Sequence, residues 1–146
     1  RPIMSEPILD YDPLQEQIRA ALSSAADVAR DLEAMEPHVP ETCRALIGSL
    51  VKELHKGKFL QRKVACDLQV MIDHVAREIT CGERHEIIVD EHYAEGVYSQ
   101  VVYTREAEVL RERLPRLLQM QAYLNAVHHI CAAEALALEL RADRRC

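Results

Sequence analysis

Apolar residues recur along most of this chain at steps of three and four, the spacing that places them on one side of an α-helix. Asp12-Pro13-Leu14-Gln15 opens the first such run: Asp12 suits a helix cap, Pro13 the first helical position, and Gln15 stands where a capping box puts it. Ile18, Ala21, Ala25, Val28, Leu32 and Met35 then alternate three and four apart, a short coiled-coil-like seam. Pro37 and Pro40 close that helix and open the next, whose stripe is Cys43, Leu46, Ile47, Leu50, Val51 and Leu54. His55 and Lys56 place positive charge in its last turn, and Gly57 is the expected left-handed stop. A third helix is predicted from about Phe59 to Thr80, ended by Gly82.

The pattern breaks between 85 and 103. Ile87-Ile88-Val89 and the run Val97 to Tyr103 are rich in β-branched and aromatic residues, as strands are. A β-hairpin with a long loop over 90–96 fits them. So does a helix from Glu91 with Tyr93, Val97 and Val101 on one face. Helical spacing returns after Thr104, a plausible cap, and Pro115 either kinks this helix or begins a separate one. Leu117, Met120, Leu124, Val127, Cys131 and Leu138 carry the stripe to about Leu140. The expected architecture is therefore mostly α: a bundle of four to six helices with a possible β-hairpin insertion near residues 85–103. Residues 1–11 read as an extended arm, 12–140 as one helical domain, and 141–146 as a charged tail.

Composition agrees with that picture and narrows the function. The 146 residues are 49% hydrophobic and 29% charged, with four glycines, which is the globular range. A net charge of −6 argues against broad nucleic-acid binding, since phosphate contact needs a basic surface. No apolar run approaches the ~20 residues that cross a bilayer, so no membrane span is expected. Five cysteines, an odd and scattered set, fit a reducing compartment better than a disulfide framework. The only asparagine, Asn125, lies in no glycosylation motif. Together these favour a cytoplasmic or nuclear protein over a secreted helical cytokine.

Candidate chemistry is sparse. Cys81 with His85, and His128 with Cys131, could form a Cys₂His₂ zinc site if the fold joined the two pairs, although tight CxxC spacing is missing and a structural role for these residues is the simpler reading. Glu-x-x-His pairs for a di-iron centre, an HExxH motif, a GxSxG elbow and a glycine-rich phosphate loop are all absent. The expectation is a non-enzymatic protein without a cofactor.

Three features suggest binding instead. Tyr93, Tyr98 and Tyr103 stand among valines including Val101, the mixture of apolar face and polar tip that protein interfaces favour. The last helix, with Leu124 and Val127 on its stripe, could close a bundle or pair across a dimer axis. Lys52, Lys56, Lys58, Arg62 and Lys63 form a basic corner around the second turn, with Phe59 the one aromatic among them. The expected function is a protein–protein interaction or oligomerisation domain of an intracellular complex, as a homodimer or hetero-oligomer. The alternative is a nucleic-acid- or phosphate-binding regulatory domain that uses the basic corner.

Overall fold

The computed structural model describes residues 12–89 and 96–145. Helix α1 spans Pro13–Met35 and starts where its cap predicts, with the Asp12 carboxylate accepting from the backbone N–H groups of Leu14 and Gln15 at 3.0 and 3.4 Å. Two 3₁₀ turns, Glu36–His38 and Glu41–Cys43, lead into α2, Arg44–Lys56. Gly57 ends α2 at φ 71°, a left-handed conformation that disfavours any residue with a Cβ. Helix α3 spans Arg62–Cys81 and begins later than the apolar pattern suggests, because Phe59 is folded into the core ahead of the first helical turn.

The described residues on either side of 90–95 form a hairpin and not the alternative helix: β1, Glu83–Val89, pairs antiparallel with β2, Val97–Tyr103. Helix α4 then runs unbroken from Arg105 to Arg145, through Pro115. Pro115 sits on the exposed side, so the hydrogen bond it cannot donate is lost where water can reach the freed carbonyl. The expected separate charged tail is accordingly part of α4 as far as Arg145, while the arm at 1–11 lies outside the described residues.

The four helices pack α1 on α2, α2 on α3, and α4 against both α1 and α3. One core fills the bundle, with Leu32, Met35, Phe59, Met71, Leu117 and Leu124 among its fully enclosed side chains. Helix α4 lies antiparallel to its two neighbours. Its first turns meet the ends of α1 and α3, where His38, Glu78 and Cys81 border Glu106 and Leu110. Farther along, Arg62, Cys66 and Gln69 near the start of α3 border Gln121, Asn125 and His128. The hairpin therefore leaves one end of the bundle, and the last part of α4 leaves the other.

Candidate protein-interaction surfaces

At the hairpin end, the junction is tight. Gly82 has an ordinary φ of −88°, so its role is not conformational. A Cβ there would lie 2.4 Å from the Ala107 Cβ and 2.8 Å from the Thr104 Oγ1, and only hydrogen fits. Thr104 caps α4 through its hydroxyl, which accepts from the Ala107 N–H at 3.3 Å, and its own N–H donates to the Gly82 carbonyl at 2.9 Å. These contacts fix the angle at which the two strands leave the bundle.

Beyond that base the ribbon has little beneath it. Directly paired residues of antiparallel strands share a face, so Ile87, Val89, Val97 and Val101 stand on one side of the hairpin and Ile88, Tyr98 and Val102 on the other. Ile87 is 75% exposed and Val89 70%, whereas Ile88 and Val102 are half-buried. The outer half of the ribbon is apolar on both faces. Its edges differ as well: β1 carries Glu83, Arg84, His85 and Glu86, while β2 has no charged residue and no proline. Charged residues and prolines are the usual protection of a free strand edge. Among the described residues only these two strands form the sheet, and the β2 edge carries none of that protection.

Tyr98 and Tyr103 stand in different surroundings. Tyr98 is exposed on the ribbon. Tyr103 is half-buried at its base with the Arg111 guanidinium 3.9 Å above its ring, a cation–π contact that ties β2 to α4. Tyr93 lies outside the described residues. Leu124 is fully enclosed in the core and Val127 is buried at 5% exposure, so the chain itself covers both. Helical spacing marks them as one face of α4 but does not say that α1 and α3 cover that face.

The part of α4 that extends past α1 and α3 lies farther on. From Cys131 to Arg144 every side chain is exposed except the half-buried Ala137. Leu136, Leu138 and Leu140 all stand in this part, Leu138 at 62% exposure. The sequence Ile130-Cys-Ala-Ala-Glu-Ala-Leu-Ala-Leu-Glu-Leu140 is apolar around nearly the whole helix, a pattern that in folded proteins accompanies burial on all sides. No helix among the described residues is long and apolar enough to cross a membrane.

The zinc reading does not survive the topology. Cys81 borders the first turns of α4, whereas His128 lies well along the same helix; at 1.5 Å per residue the two pairs are roughly 30 Å apart. Among the described residues no three His, Cys, Asp or Glu side chains converge on a common point. A cleft of about 350 Å³ lies between α3 and α4, lined by Arg62, Cys66, Gln121, Asn125 and His128 among others. Gln121 donates to the Ala65 carbonyl at 3.2 Å, which locks α3 to α4, while its Oε1 and the Nε2 of His128 are buried and meet no partner among the described residues.

In the basic corner Lys52, Lys56, Lys58, Arg62 and Lys63 are all exposed around the α2–α3 connection. Its neighbour His55 approaches Glu33 of α1 at 3.7 Å. Phe59 is fully buried, so the corner offers no aromatic ring on which a base could stack. Periodicity also left one pair unseen: Asp31, on the core side of α1, accepts from Arg113 and Arg116 of α4.

Compared with known protein families, curated proteins and solved structures, the chain matches none.

Proposed function

We propose that this chain is a non-enzymatic protein-interaction and oligomerisation domain of a cytoplasmic or nuclear complex. The observation that supports this most directly is the hairpin: a two-stranded ribbon, apolar on both faces over its outer half and uncharged along β2. An isolated two-stranded ribbon is marginal in water, and association would cover its side chains and add a strand to β2. Val101 and Tyr98 are the residues to probe, because both are exposed and neither belongs to the core.

The test compares the whole wild-type chain with Val101→Asp and Tyr98→Ala, by native mass spectrometry and by partner capture from cells that make the protein. The expected result is an assembly, of copies or with a second protein, that weakens in the variants while helicity stays constant. A wild-type chain of single mass whose captured proteins are the same as those of Val101→Asp would refute the reading. The phosphate- or nucleic-acid-binding alternative is less well supported, since the basic corner lacks a stacking platform. It predicts salt-sensitive binding lost in a Lys56→Glu, Lys58→Glu double variant.

A further inference from the structure

The free end of α4 carries more information than exposure alone. At 100° per residue, the α4 side chains that fill the core, Leu117, Met120, Leu124 and Val127, define one direction around the helix. Ala133, Leu136, Ala137 and Leu140 lie roughly 160° away from it. This second stripe faces away from α1 and α3 and sits on the part of α4 that has passed the end of the bundle. A projecting helix of about fifteen residues is marginal in water unless an apolar face is covered.

We infer that the occupant is a second copy of this chain, laid antiparallel against residues 130–143 of α4. The inference rests on the interaction-domain reading but concerns a different surface from the hairpin. When the stripe is paired antiparallel with itself about the point between Leu136 and Ala137, each Ala133 meets Leu140 of the second copy and each Leu136 meets Ala137. Large side chains meet small ones along the contact, the arrangement that lets two helices interdigitate closely. In parallel register leucine would oppose leucine and alanine would oppose alanine.

Charge selects the same orientation. In an antiparallel pair related by a two-fold axis, residues on the same flank of the two helices meet. Glu134 and Arg141 share one flank, two residues out of step across the axis, so Glu134 of each copy reaches Arg141 of the other and the contact occurs twice in the dimer. On the other flank Asp143 comes beside His129 of the second copy. In a parallel two-fold pair opposite flanks meet instead, so Glu134 would come toward Glu139 of the second copy, acid against acid. Glu134, Arg141 and Asp143 make no ion pair with the described residues of their own chain. The overlap also ends where the bundles begin, since residue 143 of one copy stands opposite Ile130 of the other.

Sedimentation equilibrium of the full chain tests this. The wild type is expected to associate to twice its 16.6 kDa mass. Leu136→Glu should raise the dimer Kd about a hundredfold, because the symmetric contact is lost twice. Glu134→Arg and Arg141→Glu should each weaken the dimer about fivefold, and the two together in one chain should restore it. A dimer that ignores Leu136→Glu and dissociates with Val101→Asp overturns this inference and leaves the interaction-domain reading standing. A dimer that Leu136→Glu abolishes but the charge swap fails to restore overturns the antiparallel arrangement. A purified monomer at every concentration, whose thermal midpoint falls with Leu136→Glu, assigns the cover to the chain's own first residues and overturns it as well. In that last case the capture experiment with Val101→Asp still decides the interaction-domain reading independently.

Discussion

Asp31 of α1 accepts a hydrogen bond from Arg113 of α4 at 2.8 Å, and its side chain is only 2% exposed. Arg116 approaches the second carboxylate oxygen at 3.5 Å, so one buried acid holds two positions one turn apart on α4. A slip of α4 by one turn along α1 would part the buried Asp31 carboxylate from these arginines, a cost that favours the observed register. Asp31→Ala leaves Arg113 half-buried without its acceptor and is expected to lower the unfolding free energy by about 2 kcal/mol in urea denaturation. Asp31→Leu combined with Arg113→Met should recover much of that loss. If the double variant is no more stable than Asp31→Ala, the pair is not the register device described.

The two turn glycines are expected to respond differently to the same substitution. Gly57→Ala meets no atom within 4 Å and has only its left-handed backbone to resist it, so a loss of about 1 kcal/mol is expected. Gly82→Ala must displace Ala107 and Thr104 at the root of the hairpin, and a loss of about 1–3 kcal/mol is expected. Thermal melts with circular dichroism separate the two. Equal shifts would count against the close approach at Gly82.

On α4 the boundary between core and free surface predicts a sharp contrast. Leu124→Ala should destabilise the fold by roughly 2–5 kcal/mol, because its neighbours on α1 and α3 cannot close the space. Leu138→Ala should leave monomer stability within about 0.5 kcal/mol of wild type. Denaturation at low protein concentration checks both, and a large loss at Leu138 would mean that the distal part of α4 packs on its own chain.

The ribbon residues should behave as surface for folding. Ile87→Thr and Val89→Lys are expected to change stability by less than about 0.5 kcal/mol while reducing self-association or precipitation. Light scattering against concentration, alongside a melt, would show it. A drop in the melting midpoint without any change in scattering would place these side chains against the bundle instead.

Much of this architecture is local and is therefore legible in the residues. Asp12 and Pro13 mark the start of α1, Gly57 the stop of α2, and Thr104 the start of α4, because caps and stops act through backbone groups only a few residues away. The apolar stripes identify the helices and most of the core for the same reason: a 3.6-residue period belongs to one helix alone. The hairpin needed the fold to decide it, since a β-branched run satisfies either reading until its cross-strand partners are known. Which apolar residues are free is likewise a tertiary matter. Leu124 and Leu138 lie on the same stripe of α4, but α1 and α3 are long enough to cover only the first. Asp31 reads as an ordinary helix-surface acid until α4 brings Arg113 to it from 82 positions away. The sequence by itself determined where the helices lie and which side of each is apolar. Only the tertiary structure, by the length and direction of neighbouring elements, decided which of those sides are covered and which stay exposed.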